Sequence, residues 1–293
     1  MRVLLALDHS TASDQAIEYL RSLPFRQSVD LSIVTVISPV PFIDATAAGV
    51  PADIGGILEE ERRHFESRLA DSMARFDDDS FRSVSGEVRI GSPAQELKTF
   101  ADSNKVDLVV MGAVGHSALQ RVLLGSVSDY VATHAEASTL VVRPHGNGSA
   151  SVPNRILLAL DCSDQDEQLA QWLQRLELST STEVHLVHVM RLLTFYSQDV
   201  LQRATELWKE ARASAEAHAK SMAKTVDSCG FDVTSNVIAA AHVGDTLITY
   251  ADDHECELII TGDHHRGKLS RLFMGSVSRD VLRHASCSVL VAR

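Results

Sequence analysis

The sequence predicts an α/β protein built from two doubly wound, open, parallel five-stranded sheets of Rossmann-like type, each with strand order 3-2-1-4-5. Three observations predict it. The chain repeats itself: RVLLALDHS (Arg2 to Ser10) recurs as RILLALDCS (Arg155 to Ser163), and DLVVMG (Asp107 to Gly112) recurs as ELIITG (Glu257 to Gly262). The ends agree as well, LLGSVSDYVATHAEASTLVVR closing at Arg143 and FMGSVSRDVLRHASCSVLVAR at Arg293. A period of about 150 residues gives each copy the length of a domain, whereas solenoid units of about 20 to 50 residues cannot bury a core alone. Apolar runs such as VLLAL and LVVM, unbroken by polar residues, suit strands covered on both faces, as in a parallel sheet. These runs alternate with amphipathic stretches, and strand, helix, strand in succession implies right-handed crossovers with helices on both faces.

Taken in order, the first copy is expected to form strands near Arg2 to Leu7, Asp30 to Ile37, Phe81 to Ile90, Asp107 to Gly112 and Ser138 to Arg143. Helices fall between them at Ser13 to Leu23, about Asp53 to Phe76, Pro93 to Asn104, and Val127 to Ala135. Pro93 suits the first turn of a helix capped by Ser92, and Leu97, Phe100 and Ala101 give that helix a buried stripe. The second copy follows the same order. Its longest helix is expected from about Asp199 to Ser228, stopped by Gly230. Leu201, Ala204, Leu207, Trp208, Ala211 and Ala215 recur at helical spacing and are most simply the face that covers the sheet. Between the copies Pro144 to Pro153, PHGNGSASVP, sustains neither a helix nor a paired strand. The expected division is therefore a first domain at 1–144, a linker at 145–153 and a second domain at 154–293.

Composition narrows the function. Of 293 residues 45% are hydrophobic and 23% charged, as in ordinary folded chains, and 27 Lys plus Arg against 39 Asp plus Glu give a formal charge of −12. That field repels phosphate backbones and anionic lipid, so neither nucleic acid nor a membrane is expected as a partner. No apolar run approaches the roughly 18 residues of a membrane span, and the chain opens on the strand-like MRVLLAL rather than on an export signal. Four cysteines, at 162, 229, 256 and 287, have no metal-type spacing and are too sparse for a disulfide framework. A reduced, cytoplasmic protein is expected.

In an open parallel sheet ligands bind beyond the carboxyl ends of the strands where the winding reverses, here between strands one and four. Strand one stops at Asp8-His9-Ser10. Strand four stops at Met111-Gly112, followed by Gly115 and then by Gly125 and Ser126 ahead of a new helix. Glycines let main-chain amides approach a ligand, and the helix start adds unpaired N–H groups, a surface suited to phosphate. Ser126 and Ser128 can cap that helix or donate to anionic oxygens, while Asp8 can accept from ribose hydroxyls or hold a magnesium ion. The same residues also read as ordinary turn glycines with Asp8 as a helix cap, and a duplicated ancestor repeats structural turns as faithfully as functional ones.

At these residues the chain resembles the universal stress protein family in its tandem form. The resemblance rests on the LLALD strand, the G-x2-G-x9-G-S loop at Gly112, Gly115, Gly125 and Ser126, the SVS that follows, and the closing HAEASTLVVR and HASCSVLVAR. It implies an adenine-nucleotide site for ATP, or for ADP or AMP, with Mg2+ as a companion ion. Asp8 would lie near the ribose, Val36 near the base, and Met111, Gly112, Gly115, His116, Gly125, Ser126, Val127 and Ser128 around the phosphates. It also implies that the last strands of the two copies meet antiparallel in an intramolecular pseudo-dimer, with a further homodimer of whole chains left open. The second copy offers a weaker site at Asp161, Val189, Gly262, Gly275 and Ser276. There His265 replaces Gly115 and Asp263 replaces Ala113, placing a bulky ring and a carboxylate where phosphate would enter, with Arg266, Gly267 and Lys268 as possible compensation. Both copies depart from the common Asp-Gly-Ser after strand one, having His9 and Cys162, side chains expected to narrow the pocket.

The expected function is a stress-response module that binds an adenine nucleotide, chiefly in the first domain, and acts on protein clients the sequence does not identify. The alternatives are a nucleotide-free interaction or scaffold protein and a slow ATP-hydrolysing enzyme. No Gly-x-Ser-x-Gly elbow, His-Glu-x-x-His helix or Walker ending occurs, so no catalytic residue is assigned. His264, His265, His254 and Cys256 lack a clear metal spacing and are expected to be loop or surface residues. His134 and His284 are expected to be structural at helix ends, and Cys287 a small buried apolar residue.

Overall fold

The computed structural model describes residues 1–38, 54–76, 80–114, 124–144, 151–192, 198–263 and 274–293. The first half runs β1 (Arg2–Leu7), α1 (Thr11–Ser22), β2 (Val29–Ile37), α2 (Ile54–Ala74), β3 (Phe81–Ile90), α3 (Pro93–Ser103), β4 (Leu108–Gly112), α4 (Ser126–His134) and β5 (Ser138–Val142). The second runs β6 (Arg155–Leu160), α5 (Asp166–Gln174), β7 (Glu183–Arg191), α6 (Gln198–Asp227), β8 (Asp232–Ala240), α7 (Val243–Asp253), β9 (Leu258–Gly262), α8 (Ser276–His284) and β10 (Ser288–Ala292).

The strands form one ten-stranded sheet in the order β3-β2-β1-β4-β5-β10-β9-β6-β7-β8, which is the expected 3-2-1-4-5 order twice over, joined tail to tail. Pairing within each half is parallel, with Val3 opposite Leu108 and Ile156 opposite Leu258 where the winding reverses. The seam alone is antiparallel: Leu140 faces Leu290 and Thr139 faces Val291. Joining β5 to β10 buries two edges that would otherwise present unpaired N–H and C=O groups. A second link lies away from the seam, where Arg26 N donates to Arg175 O (2.9 Å) and Glu177 N to Pro24 O (2.6 Å).

Two apolar layers sandwich the sheet and run unbroken across both halves. Val3, Leu5 and Leu7 of β1 point into one with Ile17, Leu20 and Leu69; Leu4 and Ala6 point into the other with Leu97, Phe100 and Val131. That alternation is the period of two of a strand covered on both faces, and it explains why β1 reads as a continuous apolar run.

Three expectations need correction. Ser92 occupies the cap position of α3 with Pro93 in the first turn, but its hydroxyl makes no capping bond. α1 starts a residue or two earlier than expected because Ser10 caps it, accepting from Ser13 N. The apolar pattern at the start of α6 does not cover the sheet: Leu207 is 66% exposed, and the packed face is Ala215, Ala219, Met222 and Val226. The reason is length. Thirty residues of helix span about 45 Å, whereas the nine-residue strand β7 spans about 30 Å, so the first half of α6 overhangs. Residues 145–150 of the expected linker lie outside the described residues.

Candidate functional site

At the carboxyl ends of β1 and β4 the first half holds a cavity of about 370 Å3, within the size range of small-molecule sites. Its apolar wall is Val34 and Val36 from β2, Leu97 from α3 and Phe65 from α2; its floor is Ala6, Met111 and Gly112. Asp8, Ser10 and Ser13 form one polar lip, and Gly125, Ser126, Val127 and Ser128 at the start of α4 form the other. Eight of the ten residues expected in this site thus line one space. The other two, Gly115 and His116, lie outside the described residues.

The Asp8 lip is built by local hydrogen bonding. Asp8 Oδ1 accepts from Ser10 N (3.1 Å), Ser10 Oγ (2.6 Å) and Ser13 Oγ (2.6 Å), so the start of α1 fixes the carboxylate over the crevice. Asp8 is therefore not the helix cap; Ser10 is. His9 holds a left-handed backbone, φ 60°, as does its counterpart Cys162 at 62°. That conformation accounts for glycine being common there, since a side chain crowds the backbone. The His9 ring does not narrow the cavity. It is not among the cavity's lining residues but packs on Phe65, ring centroids 5.4 Å apart, and burial lowers its pKa, with Arg68 adding to the effect and Asp8 opposing it.

The α4 lip differs from expectation in detail. Gly125 is the cap residue, in extended backbone at φ −66°, and neither Ser126 nor Ser128 caps the helix. Ser128 is buried and its hydroxyl donates to Gly112 O at 2.9 Å, leaving Ser126 Oγ and the first N–H groups of α4 as the donors facing the cavity. Gly112 is needed for packing: a Cβ there would come within 2.7 Å of the Ala12 backbone at the start of α1.

The equivalent place in the second half is built differently. Asp161 follows β6 and Val189 lies buried in β7, while Gly262, Gly275 and Ser276 stand at the end of β9 and the start of α8, so all five expected residues gather at the same end of the sheet. Where the first half has Ser13, the second has Asp166, 2% exposed, which accepts from Asp161 N (3.1 Å), Cys162 N (3.0 Å) and His218 Nε2 of α6 (2.8 Å). Burial pushes the Asp166 carboxyl above its usual range, with Asp161 adding to the rise and the Asp161 N–H and His218 opposing it. A carboxylate hydrogen-bonded to an imidazole thus stands where the first half has Ser13. Asp263, expected to repel phosphate, is instead neutralised: Arg293 Nε donates to its Oδ2 at 2.7 Å, and Gly275 N to its Oδ1 at 3.3 Å. A cavity of about 430 Å3 in this half lies beside the starts of α7 and α8, and of the five residues it includes only Ser276. His264, His265, Arg266, Gly267 and Lys268 lie outside the described residues.

The other polar residues behave as structural groups. His134 Nδ1 pairs with Tyr130 O (2.8 Å), and His284 Nδ1 with Asp280 O (3.0 Å). His254 stacks on Tyr250 at 3.9 Å, whereas Cys256, expected in a loop or at the surface, is buried in the apolar layer, and among the described residues no three His, Cys, Asp or Glu side chains are grouped to hold a metal ion. Burial pushes the Cys287 and Cys256 thiols up to about 12 and Cys162 to about 11, which leaves them protonated and unreactive at neutral pH. All four cysteines are free thiols, and no described helix is long and apolar enough to cross a membrane.

Comparison with known proteins fixes the family. The sequence profile of the universal stress protein family matches twice, at residues 1–143 and 153–293. This chain is a tandem universal stress protein. A universal stress protein of Mycolicibacterium smegmatis is 26% identical, the match covering 99% of this chain and 96% of that protein. One from Methanocaldococcus jannaschii is 28% identical over 48% of this chain and 81% of its own length. Among solved structures, a universal stress protein from Archaeoglobus fulgidus covers 100% of this chain and 98% of its own, with TM-score 0.69 at 19% identity, a likeness of fold. The antiparallel seam between two family domains is the pseudo-dimer that the resemblance implied.

Sequence reasoning missed the serine lip at Ser10 and Ser13 and the wall residues Val34, Phe65 and Leu97. Leu97 had a visible signal in the buried stripe of α3. Phe65 had none, because its approach depends on how α2 crosses the sheet.

Proposed function

We propose that this protein binds an adenine nucleotide in the crevice of its first domain and serves as a ligand-sensing module in the stress response. The observation that carries this reading is a single cavity with an apolar slot on one side and an open helix start on the other. Val34, Val36, Leu97 and Phe65 suit a flat base. Asp8, held by Ser10 and Ser13, suits the ribose hydroxyls, and the first N–H groups of α4 with Ser126 suit phosphate oxygens. ATP, ADP and AMP share these elements, and magnesium would arrive with the phosphates. We assign domains to 1–144 and 154–293 with 145–153 as linker, and place the protein in the cytoplasm, where four free thiols persist.

The role is binding rather than turnover. The described lining side chains position a ligand but supply, among themselves, no pair of groups arranged to activate water, and binding without contacts special to the transition state does not accelerate chemistry. The second domain contributes its half of the sheet, with the loop after β6 hydrogen-bonded to Asp166 and Asp166 to His218. Denaturing the purified protein and analysing the released small molecules by mass spectrometry tests the reading, together with calorimetric titration of ATP. Val36→Trp, which fills the base slot, is expected to abolish binding while the thermal transition is retained. Equal affinity in both proteins would refute the site.

A further inference from the structure

The two domains end alike, each strand closing on an arginine, yet the two arginines are in different electrostatic states. Arg143 follows β5 and Arg293 follows β10, and each sends Nη2 across the seam to a carbonyl in the last turn of the other domain's helix: Arg143 to Leu282 O and Arg293 to Ala132 O, both at 2.5 Å. Their neighbours at the end of the adjacent strand are also equivalent, since Ala113 N donates to Val142 O (3.0 Å) and Asp263 N to Ala292 O (3.2 Å). In the second domain the Asp263 carboxylate lies between the guanidinium and the start of α8, one oxygen on Arg293 Nε and the other on Gly275 N. In the first domain Ala113 has only a methyl group there, and Gly125 N bonds to its backbone oxygen instead, at 2.7 Å.

Arg143 is consequently buried at 4% exposure without a carboxylate partner, and its Nη1 makes no hydrogen bond. Burial without a counter-charge pulls its pKa down to about 10, still well above neutrality, so the cation persists. A charge in low-dielectric surroundings acts over a longer range than one in water. Among the described residues of the first domain, only the Ala113 methyl stands in the place from which Asp263 pairs with Arg293.

We propose that Arg143 is a buried positioning charge that favours phosphate-bearing ligands in the first crevice, and that Asp263 switches off the equivalent charge in the second. The proposal rests on the nucleotide reading above and deepens it. It assigns the choice of crevice to a pair of residues, 113 and 263, and the preference for phosphorylated over neutral ligands to a side chain that does not line the cavity. Since Arg143 and Arg293 make equivalent bonds across the seam, and Arg293 lies against the Asp263 carboxylate that also takes Gly275 N at the start of α8, the matching place for Arg143 is beside Ala113 at the start of α4, where it adds to the helix's positive end without lining the cavity.

The test titrates ATP and adenosine separately into wild type, Arg143→Met and Ala113→Asp, with thermal unfolding as a check on each. Replacing a buried unpaired cation by methionine is not expected to unfold the protein. In Arg143→Met, ATP affinity is expected to fall about tenfold with adenosine affinity unchanged, an effect of the size one screened charge provides. Ala113→Asp, which supplies the missing carboxylate, is expected to give the same selective loss. Unchanged ATP affinity in Arg143→Met, or equal losses for ATP and adenosine, would overturn the role of Arg143. Wild type that binds neither ligand would overturn the nucleotide reading itself.

Discussion

After strand one the first domain carries Ser10, Ser13 and, on the facing helix, Phe65; the second carries Ser163, Asp166 and His218. The first set leaves a cavity floored by the sheet, with a carboxylate pinned at its lip by two hydroxyls. The second draws a helix-borne imidazole onto a buried carboxylate and spends the donors of that loop on the protein itself. At the other lip the contrast recurs, Ala113 leaving Arg143 charged and Asp263 neutralising Arg293. One fold thus carries two different sets of side chains at the carboxyl end of the sheet, while the apolar layers beneath are shared. The lesson is that the two halves share one scaffold and differ in the side chains that end it.

Substitutions can break or sharpen this contrast. The largest effect is expected from Asp263→Ala, which strips the partly buried Arg293 of its carboxylate and should cost about 3 kcal/mol in denaturant unfolding. Arg143→Met should cost far less, because that arginine has no carboxylate to lose. Next, Gly112→Ala forces a Cβ to 2.7 Å from the Ala12 backbone and should cost about 1 to 3 kcal/mol, whereas Gly262→Ala meets its nearest neighbour at 3.9 Å and should be close to neutral. Ser10→Ala removes both the α1 cap and a donor to Asp8, and is expected to cost about 1 kcal/mol; Ser163 accepts from Gln165 N (3.2 Å) but is not the cap of α5, so Ser163→Ala should cost less.

The smallest effect is a pH dependence present in the first crevice and absent from the equivalent position in the second. The folded-state pKa of His9 is depressed below its ordinary value of 6.5, so the unfolded chain binds a proton first. Stability is complete above pH 6.5 and declines as the pH falls towards the folded value. His9→Gly, which also suits the left-handed backbone, should flatten that decline in unfolding curves measured between pH 7 and pH 5; Cys162→Gly should leave it unchanged, its thiol being protonated throughout.

Much of this was legible in the residues alone. The repeat, the strand order and the gathering of Asp8, Val36, Met111, Gly112 and Gly125 to Ser128 at one end of the sheet all follow from local patterns and from the rule that ligands sit where the winding reverses. What stayed hidden depends on distance between elements. Phe65 and His218 reach their crevices through the crossing of α2 and α6 over the sheet, and the sequence carries no period that reports it. The meaning of Asp263 was reversed for the same reason: beside β9 it reads as a charge repelling phosphate, but the parallel register of Gly262 with Ala292 brings Arg293 against it. The overhang of α6 escaped because its apolar spacing continues past the end of the strands it crosses.

The most direct measurement is the stoichiometry and position of bound nucleotide: a saturating calorimetric titration of the full chain with ATP, followed by a crystal structure of the complex. One nucleotide per chain is predicted, its base against Val36 and its phosphates at the start of α4, with none in the second crevice and the Asp166–His218 hydrogen bond intact. Two nucleotides per chain, or a single one seated beside Asp161 and Gly275, would contradict the account.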